Sequence, residues 1–149
     1  MKIETVLAAT DFSEAAGKAM KIASDLARHF EAELVVVHAY NVEIPIASPM
    51  VEGGYILPSG FFEQISKQAT LQVEEAANQI VERGVSATGI AIDEPAALAI
   101  VDEAQRRSAD IIVMGTRGLT GLKHIALGSV ADKVVRTAHC PVLTVGENS

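Results

Sequence analysis

Cysteine, tryptophan and aromatic rings are scarce in this sequence of 149 residues, and each scarcity excludes something. One cysteine, Cys140, cannot build an intramolecular disulfide framework, so the chain is expected in a reducing compartment, the cytoplasm. Nor does it combine with the scattered His29, His38, His124 and His139 into the paired spacing of a zinc site, and no metal-ligating residues are assigned. With no Trp and 4% aromatic residues, the core must be built from Ala, Val, Ile and Leu. No apolar run approaches membrane-spanning length, and the opening "MKIETVLAATDF" holds too short an apolar stretch for a signal peptide, so membrane insertion is not expected. A net charge of −7 makes the surface repel polyanions, which argues against nucleic acid as the main partner. The common nucleotide fingerprints are also missing: no G-x-x-x-x-G-K-S/T occurs, and no G-x-G-x-x-G follows the first apolar run.

What is present is a regular alternation. "TVLAAT" (5–10), "ELVVVHAY" (33–40), "VSATGIAI" (85–92), "DIIVMG" (110–115) and "PVLTV" (141–145) read as strands. Helices fit 13–30, 61–83, 95–108 and 129–138 between them. In the first helix Ala16, Met20, Ala23, Ala27 and Phe30 recur at helical spacing, with Asp11 or Ser13 to cap its start. In the second, Phe62, Ile65, Ala69, Val73, Ala76 and Ile80 share a face, and Gly84 follows its end. Pro95 falls in the first turn of the third. Five strands separated by four helices predict one α/β domain over 1–149, a parallel sheet in the order 3-2-1-4-5 with helices on both faces, Rossmann-like. Ligands of such sheets bind beyond the carboxyl ends of the strands where the order reverses, here between strands 1 and 4.

The sequence delivers Ala9-Thr10-Asp11 and Met114-Gly115 to that point, followed by a loop with Gly118, Gly121 and Gly128-Ser129. A helix opening at Gly128-Ser129 offers backbone N–H groups, a hydroxyl and the positive end of the helix dipole, an arrangement suited to phosphate. Gly115 and Gly118 are expected to let the backbone fold closely over another part of the same ligand. From Ile111 through Ala131 there is no Asp or Glu, whereas Arg117, Lys123 and His124 lie inside that window. A basic island in an acidic chain points to a small anionic ligand. Ser129 lacks the G-x-S-x-G elbow of a nucleophile, so no catalytic residue is assigned.

The spacing Gly115-x2-Gly118-x9-Gly128-Ser129 resembles the G-x2-G-x9-G-S/T motif of ATP-binding universal stress proteins. The resemblance extends over "TVLAATDFSEAAGKAM", "ELVVVHAY", "ADIIVMGTRG" and "LGSVADKVVRTAHCPVLTV", nearly the whole chain. It implies a homodimer and an adenine nucleotide, ATP, held with little or slow hydrolysis by a stress-response regulatory module that contacts a protein partner. The alternative is a slow ATPase or phosphoryl-transfer enzyme using the same pocket; Asp11 is its one candidate base, with no second acid beside it. By the same resemblance, Asp11 lies near adenine and ribose, Ala39 offers backbone to the adenine, and Met114 and Gly115 flank the ribose. Thr116, Arg117 and Gly118 lead toward the phosphates, and Gly128, Ser129 and Val130 close over them, with Mg2+ on the phosphate oxygens. One departure is Asp93-Glu94-Pro95, where many relatives have a glycine; two acids facing the site there would disfavour phosphate.

Other segments carry weaker signals. Residues 41–60 hold three of the five prolines and follow the second strand, so two readings stand: a lid over the site or a plain connection. His38 reads as a hydrogen-bonded core residue, His124 as a phosphate neighbour and Cys140 as a small buried residue. The last strand, Pro141–Val145, is apolar apart from Thr144 and lies at a sheet edge in the predicted order. An edge of that kind is expected to pair with a second copy of the chain.

Overall fold

The computed structural model describes residues 1–42, 58–117 and 127–148. Nine elements follow in order: β1 (Thr5–Ala9), α1 (Glu14–Phe30), β2 (Glu33–Tyr40), α2 (Phe61–Glu82), β3 (Ala87–Asp93), α3 (Ala96–Arg106), β4 (Ile111–Gly115), α4 (Ser129–Thr137) and β5 (Val142–Val145). Each begins and ends within two residues of its expected bounds. The five strands pair in parallel in the order β3-β2-β1-β4-β5, as the alternation predicts.

Parallel strands covered by helices on both faces must be apolar on both faces. Val6, Leu7 and Ala8 of β1, Leu34 to Val37 of β2, and Ile112 and Val113 of β4 are accordingly all buried. One face packs under α1 and α2 through Val6, Ala8, Leu34, Val36 and Val113. The other packs under α3 and α4 through Leu7, Val35, Val37, Ile112 and Met114.

Helix α1 presents Ala15, Ala16, Ala19, Ala23 and Ala27 to the sheet, small residues that let it lie close. Ser13 is its N-cap, with the hydroxyl accepting from the Ala16 N–H at 3.2 Å, so of the two expected capping residues it is the serine that acts. Phe30 and Phe62, expected on buried faces, are exposed instead. Both lie in terminal turns, where Phe30 meets the His29 ring edge-on at 4.9 Å and Phe62 meets Phe61 at 5.6 Å. Gly84 follows α2 with φ 85°, a left-handed conformation that suits glycine. Pro95 stands at the N-cap of α3, just ahead of the first turn in which it was expected. Cys140 is half-buried, and burial pushes its thiol pKa up.

A polar clasp absent from the sequence reading ties the amino ends of β1 and β4. The Asp110 carboxylate accepts the backbone N–H groups of Glu4 at 2.7 Å and Thr5 at 2.9 Å, which holds its pKa below the ordinary 3.8. A depressed carboxylate pKa contributes stability that is full above the unfolded-state value and is lost as pH falls through the folded one. Asp110→Ala is therefore expected to lower the urea midpoint at neutral pH, with the gap to the wild type closing below pH ~4. A gap that stays constant down to pH ~3 would contradict the assignment.

Candidate functional site

The sheet reverses between β1 and β4, and a cavity of about 310 Å³ opens at their carboxyl ends. That volume is in the range of small-ligand sites. Of its strand-end residues, Ala9, Val37 and Met114 come from the sheet face covered by α3 and α4, and Ala39 and Gly115 border the cavity beside them. Helix α3 contributes Ala96 and Ile100, one turn apart, and α4 contributes Ser129, Val130 and Ala131. Thr10, Asp11, Thr116, Arg117 and Gly128 add to the polar part of the lining.

The residues singled out from the sequence, Asp11, Ala39, Met114, Gly115, Thr116, Arg117, Gly128, Ser129 and Val130, thus border one space. Gly118, Gly121, Lys123, His124 and most of the 41–60 segment lie outside the described residues. The sequence reading did not pick out Val37, Ala96, Ile100 or Ala131. Periodicity held the signal for two of them, since Val37 shares a strand face with Ala39 and Ile100 follows Ala96 by one helical turn.

Two glycines act differently from expectation. The hydrogen of Gly115 faces α1 rather than a ligand: a Cβ there would lie 3.2 Å from both the Ala15 carbonyl carbon and its Cβ. Gly115 therefore serves the close approach of α1 to β4. Gly128 does not present its own N–H to the cavity, because that group donates to the Thr116 carbonyl at 2.6 Å. This bond joins the two ends of the loop, and a Cβ on Gly128 would come within 2.9 Å of the same oxygen. The donors left at the start of α4 are those of Ser129, Val130 and Ala131, whose positions in the first turn give them no intrahelical acceptor.

The electrostatics favour an anion at this end. Neither Gly128 before α4 nor Pro95 before α3 makes a side-chain cap, so both helices bring uncapped first turns to the cavity lining. Arg117 adds a guanidinium, 3.7 Å from the Glu147 carboxylate. Asp11 is the one acid in the described lining, and its Oδ1 accepts the Ser13 N–H at 2.9 Å. Asp93 and Glu94 do not border the cavity. Both are exposed, and Asp93 accepts the Val42 N–H at 3.4 Å, which removes the repulsion anticipated from the sequence. No cluster of three or more metal-ligating side chains exists among the described residues.

A parallel sheet with its cavity at the reversal, apolar on one side and bordered by uncapped helix starts on the other, defines a doubly wound α/β protein with an open cavity where such sheets bind ligands. Residues 2–146 match the universal stress protein family, and the chain belongs to it. It is similar to universal stress protein MJ0531 of Methanocaldococcus jannaschii, 38% identical over 136 residues that cover 91% of this chain and 78% of the relative. Among solved structures, hypothetical protein MJ0577 of the same organism superposes with a TM-score of 0.81 at 23% identity, covering 100% of this chain and 99% of that one. A universal stress protein from Archaeoglobus fulgidus in complex with dAMP gives 0.65 at 22% identity, covering 97% and 99%. Among the described residues, no helix is long and apolar enough to cross a membrane.

Proposed function

We propose that residues 1–149 act as one nucleotide-binding regulatory domain, holding ATP in the cavity between β1, β4 and α4. The observation that carries this reading is the uncapped start of α4 beside an apolar cavity wall at the sheet reversal. The apolar residues Val37, Ile100 and Met114 suit a base, and Asp11 suits ribose hydroxyls, which donate to a carboxylate. The α4 N–H groups, the Ser129 hydroxyl and Arg117 suit phosphates. The dAMP complex of the Archaeoglobus fulgidus protein supports the choice of an adenine nucleotide. A magnesium ion bound through phosphate oxygens asks few ligands of the protein, and the Ser129 hydroxyl would face it.

The lone acid in the described lining, Asp11, supports binding with little or slow hydrolysis. The reading extends to a cytoplasmic stress-response module that signals to a protein partner. Acid extraction of the purified protein, with the supernatant run on a nucleotide column, tests the reading. About one ATP per chain is the expected yield. An empty extract, followed by no thermal shift with added ATP and magnesium, contradicts it. Rapid release of phosphate from bound ATP would favour a phosphoryl-transfer enzyme.

The same reading includes a homodimer joined through β5. This strand lies at the sheet edge, and Leu143 on it is 37% exposed. Leu143→Lys places like charges against each other across a two-fold axis, so it is expected to convert a dimeric mass in light scattering to a monomeric one. A wild-type chain that is monomeric at micromolar concentration contradicts the dimer.

A further inference from the structure

Phe12 occupies a conformation that its side chain disfavours. Its φ is 61°, the left-handed region, where a bulky residue is an outlier and needs compensating contacts. The residue is also 42% exposed, so the core does not supply them. Two contacts do: the Phe12 N–H donates to Thr10 Oγ1 at 3.0 Å, and the ring packs on His38 with centroids 4.6 Å apart. Strain of this kind commonly accompanies a site whose geometry must be held.

His38 grips the same turn a second time. Its Nδ1 lies 3.0 Å from the Thr10 carbonyl oxygen. A carbonyl only accepts, so Nδ1 carries the proton and donates. The Tyr40 ring lies with its centroid 6.5 Å from that of the imidazole and its plane 30° from parallel. His38 thus bonds the residue before Asp11 and packs against the ring of the residue after it, the two planes 56° apart. It does not border the cavity: Val37 and Ala39, its neighbours in β2, do, and alternation along the strand turns His38 to the opposite face.

We infer that His38 is a positioning residue for Asp11, fixing the carboxylate that recognises the nucleoside half of the ligand without touching the ligand itself. This rests on the nucleotide reading above. The imidazole holds the Thr10 carbonyl and supports the Phe12 ring, and the two together set the backbone from which Asp11 projects. The phosphate end is built on other elements, α4 and Arg117.

The test compares ATP with inorganic tripolyphosphate, which has the phosphates but no nucleoside. His38→Leu is expected to weaken ATP binding roughly tenfold, as Asp11→Ala does, and to leave tripolyphosphate binding within about twofold. His38→Asn keeps an N–H donor near the Nδ1 position and is expected to restore most of the ATP affinity. The double variant should lose no more than either single one, because one substitution already removes what the other supports. Phe12→Gly removes both the ring and the left-handed strain, so it stays folded while ATP affinity drops as in His38→Leu. Equal losses for ATP and tripolyphosphate, or additive losses in the double variant, would overturn the inference. So would a wild type that binds ATP beside His38→Leu and Phe12→Gly variants that bind it equally well. A wild type that takes up no ATP overturns the nucleotide reading, and this inference with it.

Discussion

Gly128→Val is expected to weaken ATP binding by about two orders of magnitude while leaving the fold intact. At φ −67° the backbone of residue 128 is ordinary, so the need for glycine is one of space alone. A Cβ would stand 2.9 Å from the Thr116 carbonyl oxygen, closer than carbon and oxygen tolerate. Relief requires the two loop ends to part, which breaks the 2.6 Å bond from the Gly128 N–H to Thr116 and swings the first turn of α4. The N–H groups of Ser129 and Val130 then lose their aim at the phosphates. Two charge-assisted hydrogen bonds at ~1.5 kcal/mol each amount to ~3 kcal/mol, or about a hundredfold in affinity. Helix α4 stays docked through Ala131 and Val134, which are buried against the sheet. Titration calorimetry beside a thermal melt checks both halves: unchanged affinity would place the ligand elsewhere, and a collapsed melt would make the glycine a requirement of the fold.

Gly89→Ala should have the largest effect on stability. Gly89 sits in β3 directly under α2, and its Cβ would meet the Val73 carbonyl oxygen at 2.4 Å, the Val73 carbonyl carbon at 2.7 Å and the Glu74 nitrogen at 3.0 Å. All three are backbone atoms, so no side-chain rotation makes room. The helix must retreat from the strand, which opens space around Val73, a fully buried residue. Overpacking typically costs ~1–3 kcal/mol, and this contact belongs at or above the upper end. At ~2–4 °C per kcal/mol for a chain of this size, the melting temperature should fall by roughly 10 °C. A change within about 2 °C would mean that α2 and β3 are not so closely packed.

The contrast between these glycines shows what a sequence reveals and what it hides. Gly128 was legible because it stands in a cluster with a charge asymmetry around it, at a point the strand order marks out. Its bond to Thr116 was not, because that contact closes a loop and leaves no trace in periodicity. Gly89 faces a helix that pairs with it only in the fold, so it looks like an unremarked residue in an apolar run, and Gly115 was singled out for a ligand while its closeness to α1, about a hundred residues earlier, left no trace. The central strands were legible for the opposite reason: Leu34 to Val37 are apolar without alternation, which burial on both faces requires. Helix faces were legible in their middles, at Ala23 and Val73, and misread at Phe30 and Phe62, which are exposed in terminal turns. His38 was read as a hydrogen-bonded core residue, and the bond is there; its partner, a turn 28 residues earlier in the chain, is what periodicity does not reveal.

The most direct measurement is a titration of nucleotide-stripped protein with ATP and magnesium, followed by calorimetry. Saturable heat with one site per chain is expected, with the affinity weakened about a hundredfold in Gly128→Val and roughly tenfold in Asp11→Ala. No heat and no thermal shift at millimolar ATP, from protein that melts cooperatively, would contradict the assignment of the cavity to an adenine nucleotide.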